Sequence, residues 1–285
     1  GGTQALQIVC GAPNVRVGMK APLALEGATL PGGLVIGRAK LRGVESAGML
    51  CSGRELGLSE DQDGLLELPA QLATGAPFRE ALKLDDSILT LNVMPNRGDV
   101  LSMIGVAREV AAIADRKLTS PYIEPIAAAN FARFEVRLEA PAGCPRFAGR
   151  ILKGVDPKSR TPLWMSERLR RAGLRPISPI VDVTNYVMLE FGQPMHAYDL
   201  RRLSSHIEVR QARKGERLTL LDGREIAIDA DTLVIADAVG SVGLAGIMGG
   251  EKSGIAPDTR DVFLEVAFFA PDAIAGRARR YGMLT

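Results

Sequence analysis

The chain has 285 residues, of which 46% are hydrophobic and 24% are charged. These values are ordinary for globular proteins, and the length suggests about two domains. Lys and Arg number 35 against 33 acidic residues, for a net charge of +2, which excludes a strongly basic nucleic-acid binder; any RNA contact must come from local patches.

The first 82 residues alternate short apolar runs with glycine- and proline-rich turns. Runs such as ALQIVCG, APLALEG, GLVIGRAKLRG and GLLELP are typical of short strands. Their spacing predicts a small β-barrel or sandwich.

The middle of the chain, residues 83–125, has a different pattern. SILTLNV at 87–93 predicts a strand, and MPNRGD predicts a turn. Residues 101–114 carry apolar side chains at the helical period, which predicts a helix. The segment 123–132 indicates a linker.

Residues 126–285 mix strand and helix patterns, so the sequence predicts an α+β multidomain chain. FEVRLEA, FAGRILKGV, SHIEVRQA, EIAIDADTLVIAD and VFLEVAFF predict strands, and LDG at 221–223 predicts a hairpin turn. A helix is expected over 162–172, with Thr161 as its cap and Gly173 as its stop, and another behind Pro271.

The cysteines and the hydropathy of the chain indicate the cellular compartment in which the protein is expected. Cys10, Cys51 and Cys144 form no CxxC pair, and free, mostly buried thiols are expected rather than a zinc site. The chain has no run of 18 apolar residues and no leader pattern at its start, so a cytoplasmic protein without a membrane segment is expected.

Three separated blocks of sequence together resemble one family. They are LQIVCGAPNVRVGMKAPLALEGATLPGG, then LNVMPNRGDVLSMIGVAREVAAI, and then PISPIVDVTNYVMLEFGQPMHAYDL with GLAGIMGGEKSG, VFLEVAFF and GRARRYG. In this order they resemble the β subunit of bacterial phenylalanyl-tRNA synthetase. The resemblance implies an OB-fold tRNA-binding module without its first strand over 1–82, a connecting strand–helix segment over 83–125, and a B3/B4 editing domain over 126–285.

The same resemblance implies what the chain works with. Because the chain starts inside the OB module and stops at Thr285, we expect a fragment of a longer subunit. The implied partners are tRNA(Phe) and an α subunit that carries the aminoacylation centre, in an assembly of two α and two β subunits. The complete synthetase, a ligase, would use ATP and Mg2+, whereas no cofactor is expected in this fragment.

Editing requires the enzyme to hold an already activated ester, orient a water and stabilise an oxyanion, with no obligatory metal. Tyrosine exceeds phenylalanine by one hydroxyl, which an apolar pocket cannot reject strongly, so a second site needs a polar partner for the phenol. The resemblance assigns this role to Glu265, inside an apolar strand. The alternative is an edge-strand glutamate that faces water.

The resemblance also assigns roles beside the ester. His196 would position water or the terminal ribose; alternatively it is a structural histidine in a turn. Thr184 and Asn185 would lie beside the ester; alternatively they cap a helix. Arg175 would contact the terminal adenosine or a phosphate; alternatively it is a surface charge.

Glycines and the last residue complete the predicted pocket. Gly246, Gly249 and Gly250 would allow close backbone approach and supply N–H groups to the oxyanion; alternatively they form a plain turn. Thr285 matches a threonine that lines the pocket in this family.

Basic side chains in the first 82 residues could form a track for tRNA. Glu26, Glu45 and Glu55 interleave with them, so scattered solvated charge is the alternative. Phe78 is the only aromatic residue in this part, which argues against a base-stacking surface. The candidates are Arg16, Lys20, Arg38, Lys40, Arg42 and Arg54.

Three functions follow from these patterns. The first is hydrolysis of tyrosyl esters on tRNA(Phe), the second a non-catalytic tRNA-binding scaffold of the αβ synthetase, and the third an unrelated free-standing tRNA-binding protein. The editing-like third block argues against the last.

Overall fold

The computed structural model describes residues 5–283, and the chain divides into two units. The first unit comprises the chain up to Leu91 together with Pro162–Arg175, and the second comprises Asn92–Thr161 and the chain from Pro176 onward. The α+β class is confirmed. The helices are α1 Phe78–Ala81, α2 Met103–Ile113, α3 Leu163–Arg171, α4 Pro179–Phe191, α5 Pro271–Ile274 and α6 Arg277–Arg280.

The strands follow the predicted order in the second unit and are shorter than expected in the first. They are β1 Leu23–Leu25, β2 Ala39–Leu41, β3 Val44–Ser46, β4 Gly48–Leu50, β5 Glu135–Leu138, β6 Arg146–Leu152, β7 His196–Asp199, β8 His206–Gln211, β9 Arg217–Thr219, β10 Glu225–Ala227, β11 Leu233–Ala236, β12 Ser241–Leu244, β13 Met248–Gly249 and β14 Val262–Phe268.

The first unit is built from two-stranded ladders. β1 pairs with β4 and β2 pairs with β3, both antiparallel, over a small core that includes Leu30, Ile36 and Cys51. Within residues 5–283 these strands do not close into a barrel, so the predicted barrel is not confirmed. The strand predicted at 87–93 is wrong, because that segment forms no helix or strand and pairs with no strand of the described chain.

The helix predicted over 162–172 is confirmed as α3, but its predicted cap is wrong. The helix begins at Leu163, and the Thr161 hydroxyl donates to Asp182 instead of capping it. Gly173 has φ +85° and ends the segment as predicted. Arg171 donates to Asp86 (2.7 Å) and to the Lys83 carbonyl (2.8 Å). These bonds connect α3 to the rest of the first unit, to which it belongs.

A five-stranded sheet forms the middle layer of the second unit, in the order β13-β12-β11-β8-β5. One face, with Ile207, Val209 and Ile235, packs into the main core, and the other, with Val234 and Leu244, packs against the β9–β10 hairpin. Because both faces are covered, all four residues of β11 are buried, and its pattern is a continuous apolar run.

A three-stranded sheet packs on this middle layer, in the order β6-β14-β7, with Tyr198 and Phe263 in the shared core. β14 is the central strand, antiparallel to both neighbours. The predicted hairpin turn at 221–223 is confirmed between β9 and β10, with Gly223 at φ +82°. The helix expected behind Pro271 is two short helices, since Gly276 adopts φ +74° between them.

Candidate editing site

Strand register brings together two residues that are 69 positions apart in sequence. In the β7–β14 ladder His196 lies directly opposite Glu265, and Phe263 lies opposite Tyr198. Side chains of directly opposed residues share one face of a sheet and lie close together. This face is turned toward the core between the two sheets of the second unit.

Glu265 is a buried carboxyl group on the central strand. It is only 6% exposed, so the alternative of an edge-strand glutamate facing water is wrong. The Tyr198 hydroxyl donates to its Oε2 over 2.6 Å. Burial raises the pKa of Glu265 to about 7, while the hydrogen bond from Tyr198 opposes that rise. The group therefore titrates near neutral pH.

The His196 imidazole is held against the same core face. Its ring meets the Tyr198 ring edge-on, with centroids 4.4 Å apart. The Nε2 atom is buried and has no hydrogen-bond partner within residues 5–283. Burial lowers the pKa of His196 to about 4, so the ring is neutral at pH 7. With the proton on Nδ1, Nε2 is an open acceptor for a water or a hydroxyl group.

Gly249 packs its backbone directly on this imidazole. A Cβ atom there would lie 2.5 Å from Cε1 and 2.6 Å from Nε2 of His196, so a larger residue would push the ring away. Gly249 pairs with Gly243, and the following Gly250 N–H donates to Val242 O (2.7 Å). This places Gly249 at a non-hydrogen-bonded position, and its N–H points away from β12.

The other two glycines of GIMGG differ from Gly249. The Gly250 N–H is used by the sheet, as the bond to Val242 shows, and is not a free donor for an oxyanion. Gly246 has φ +67° in the turn between β12 and β13, where a Cβ would approach Phe269 to 3.0 Å. Both glycines are required by the local backbone, and of the three only Gly249 lies against His196.

Helix α4 leads into β7 and contributes Thr184 and Asn185. They lie beyond its first turn, and Ser178 is the N-cap residue, so the capping alternative is wrong. The Thr184 hydroxyl donates to Val181 O (2.7 Å) within the helix. Asn185 is partly buried on the same helix. Their position beside an ester stays a prediction.

The start of α4 is fixed by a buried carboxylate that sequence reasoning missed. Asp182 is fully buried; it accepts the Ile177 N–H (2.8 Å) and the Thr161 hydroxyl. Thr161 and Ile177 lie on either side of the chain segment that contains α3. Asp182, near the start of α4, therefore holds the two ends of that segment together.

The roles of two further residues, Arg175 and Thr285, stay predictions. Arg175 is exposed and belongs to the first unit. Thr285 lies outside the described residues. Tyr198, which contacts both His196 and Glu265, was not predicted; its signal was its alternation with His196 in HAYD, which puts both on one face of a strand.

The basic residues predicted to bind tRNA divide into two groups. Arg16 is paired with Glu67, Arg38 with Glu26, and Lys20 donates to the Ala70 and Leu72 carbonyls. Arg54 donates to Gln62. Lys40 and Arg42, on the β2–β3 hairpin, are exposed as well but form no ion pair within residues 5–283.

Two cavities within residues 5–283 are lined by residues other than His196 and Glu265. A groove of about 760 Å³ in the first unit is lined in part by Cys10 and Arg54. A cavity of about 210 Å³ in the second unit is lined in part by Arg217, Lys252 and Gly250.

The described residues were also compared with the predictions on metal sites, cysteines and membrane helices. Within residues 5–283 no cluster of three or more His, Cys, Asp or Glu side chains is arranged to hold a metal ion. All three cysteines are free, and Cys51 and Cys144 are buried, as predicted. No helix in that range is long and apolar enough to cross a membrane.

Comparison with protein families decides the classification of the second unit. The "B3/4 domain" model matches residues 143–285, half of the chain. The chain belongs to the B3/4 domain family. A second model, the "Putative tRNA binding domain", matches residues 1–77.

Individual relatives agree with the B3/4 assignment. The chain is 57% identical to the phenylalanine–tRNA ligase beta subunit of Methylococcus capsulatus and 55% identical to that of Pectobacterium atrosepticum. Each alignment covers 100% of this chain and 36% of the relative, so the chain spans about a third of the length of these proteins. The resemblance to phenylalanyl-tRNA synthetase β subunits is thereby confirmed.

One solved structure is also similar, an N-terminal fragment of the phenylalanyl-tRNA synthetase beta subunit from Pyrococcus horikoshii. It is 18% identical, with a TM-score of 0.38, and the match covers 63% of this chain and 55% of that chain. A likeness this low adds nothing to the fold or function of the B3/4 domain.

Glu265→Gln should stabilise the protein at high pH. The folded-state pKa of Glu265 is about 7 against an ordinary 4.5, so its contribution to stability is full below pH 4.5 and is lost as pH rises through 7. In urea unfolding, the free energy of unfolding of the variant should equal that of the wild type near pH 4.5. Above pH 8 it should exceed the wild-type value by on the order of 3 kcal/mol. A pH-independent difference would show that the carboxyl is not desolvated.

Gly249→Ala should displace the His196 ring toward solvent and raise its pKa from about 4 toward 6.5. NMR titration of the imidazole Cε1 proton measures this. The matched control is Gly240→Ala, where the added Cβ has only a Glu216 oxygen nearby, at 3.9 Å. An unchanged His196 titration in Gly249→Ala would contradict the contact.

Proposed function

We propose that this chain is the tRNA-binding and editing part of a phenylalanine–tRNA ligase β subunit, and that its B3/4 domain hydrolyses tyrosyl esters of tRNA(Phe). The observation that carries the proposal is the convergence of His196, Glu265 and Gly249 on one core face. Three motifs far apart in sequence meet there, as a pocket for an ester and a phenol requires. The family match and the named relatives support the same function.

Glu265 would recognise the phenol. A buried carboxyl group in an apolar strand accepts a hydrogen bond from a tyrosyl hydroxyl, and a phenylalanyl group would leave it without that donor. Such a site rejects the analogue that lacks the hydroxyl. The expected order of preference is therefore tyrosyl over phenylalanyl ester.

His196 and Gly249 would act at the ester. A water attacks the ester carbonyl carbon, the bond to the ribose oxygen breaks, and that oxygen leaves with a proton. A histidine with a pKa of about 4 is a weak base at pH 7, so its open Nε2 supports positioning of the water or ribose rather than proton abstraction. The Gly249 N–H, which points away from β12, is the proposed oxyanion donor.

The remaining assignments belong to the same proposal. Thr184, Asn185, Arg175 and Thr285 would complete the pocket with the terminal nucleotide. The partners would be tRNA(Phe) and an α subunit in an assembly of two α and two β subunits, with ATP and Mg2+ used by the complete cytoplasmic enzyme. We also propose three domains: an OB-like module over 1–82, a connecting segment over 83–125 and the editing domain over 126–285.

Activity assays separate the proposed roles. Purified chain is mixed with Tyr-tRNA(Phe) and with Phe-tRNA(Phe), and release of each amino acid is followed. His196→Ala should slow hydrolysis of the tyrosyl ester about tenfold or more without changing discrimination. Glu265→Ala should reduce discrimination by about 10- to 100-fold, the value of one hydrogen bond to a charged group.

Glu139→Ala is the control for these variants, because Glu139 is exposed in the same unit. A Glu265→Ala variant that melts early but keeps its selectivity would indicate a structural glutamate. Release no faster than in buffer by the wild type would favour the second candidate, a non-catalytic tRNA-binding scaffold.

Binding of tRNA should depend on Lys40 and Arg42 more than on Arg16 and Arg38, which already have carboxylate partners. Lys40→Gln with Arg42→Gln should reduce the slope of log Kd against log salt by about 2, since each lost phosphate contact removes close to one released counterion. Arg16→Gln with Arg38→Gln removes the same charge, but from side chains already paired with Glu67 and Glu26. Equal effects of both double variants would contradict a localised track.

A further inference from the structure

Tyr198 contacts both residues to which the proposed function assigns the recognition of the phenol and the positioning of the water. It is 1% exposed, its hydroxyl donates to Glu265 Oε2 over 2.6 Å, and its ring lies edge-on to His196. A buried tyrosine hydroxyl needs one acceptor, and many backbone carbonyls could serve. Here the acceptor is the side chain that the proposal needs for tyrosine selection.

The hydrogen bond leaves part of the carboxyl group for a ligand. A carboxylate has two oxygens with about four acceptor positions, and Tyr198 occupies one position on Oε2. A fixed donor on one oxygen restricts rotation of the carboxyl group about its last torsion, which is otherwise broad. The other oxygen, Oε1, is thereby held in one direction.

We propose that Tyr198 is a positioning residue for tyrosine selection: it holds the Glu265 carboxyl group so that Oε1 is presented to the phenol of a tyrosyl ester. This inference rests on the proposed editing function and deepens it. Tyr198 does not itself contact the reacting ester; it acts through Glu265.

The ionisation of Glu265 depends on Tyr198, because the other groups that face the carboxyl group do not stabilise its charge. His196 faces it from β7 and is neutral, and Gly149 faces it from β6. Burial raises the pKa of the nearby Cys144 thiol, and the Glu265 charge adds to that rise. Among these neighbours Tyr198 is the donor that favours the ionised carboxylate. Removing the hydroxyl should therefore shift Glu265 toward its neutral form at pH 7.

The test uses Tyr198→Phe, which removes one oxygen and keeps the ring against His196 and Phe263. The purified chain is assayed with Tyr-tRNA(Phe) and Phe-tRNA(Phe) from pH 6 to 8.5. We expect the preference for tyrosyl ester to fall about tenfold at pH 7, mainly through KM for the tyrosyl ester, and to recover partly as pH rises. Tyr281→Phe, which removes a hydroxyl bonded to Thr232 in the same unit, is the control.

A direct measurement accompanies the assay. Carbon-13 NMR of the glutamate side-chain carboxyl groups, with the Glu265 signal assigned by its loss in Glu265→Gln, should give a pKa about one unit higher in Tyr198→Phe. An equal loss of rate for both esters, with no change in selectivity or in the Glu265 titration, would mean that Tyr198 is only a core residue and would overturn the inference. No hydrolysis by the wild type would instead overturn the proposed function, and the inference with it.

Discussion

A carboxyl group buried on the central strand of a sheet is the constraint on which the second unit depends. Glu265 is flanked by β6 and β7 and is 6% exposed, so its charge cannot be solvated by water. Burial of a charge without a partner is costly. The Tyr198 hydroxyl gives the carboxyl group a hydrogen bond, and the pKa near 7 lets it be neutral at lower pH. A buried carboxyl group destabilises a core that has no other role, which is a physical reason to assign Glu265 to a binding site.

The surroundings of Glu265 are arranged by register and by a missing side chain. The β7–β14 pairing puts His196 opposite Glu265, and a one-residue slip would turn both side chains to other faces. Gly249 then approaches the imidazole more closely than any residue with a Cβ could. Sheet geometry in the B3/4 domain therefore fixes the relative placement of an acceptor nitrogen and a carboxyl group.

Much of the second unit could be predicted from sequence because its elements declare themselves locally. Alternating or continuous apolar runs mark its strands, and Gly223 turns the chain between β9 and β10 as predicted. The segment 87–93 has the same strand pattern, yet its apolar side chains Ile88 and Leu89 are 62% and 81% exposed and no described strand pairs with it. A pattern indicates that a segment can be extended, whereas a ladder needs a partner that the pattern does not name.

The candidate site could be predicted only in part. Family motifs gave His196, Glu265 and Gly249, which meet in space, but they also gave Gly250, whose N–H is consumed by Val242. Residue type alone did not indicate Tyr198 or Asp182, because their roles arise from contacts with residues 67 and 21 positions away. Pairings at such separations depend on the tertiary fold and not on local sequence.

The most direct test of the account is a crystal structure of the chain with a non-hydrolysable analogue, tyrosine joined by an amide to the 3′ position of 3′-deoxyadenosine. The account predicts the phenol oxygen within hydrogen-bond distance of the Glu265 carboxyl group, the amide carbonyl oxygen beside the Gly249 N–H, and a water or the ribose hydroxyl donating to His196 Nε2. An analogue bound elsewhere, with Glu265 still bonded only to Tyr198, would contradict it.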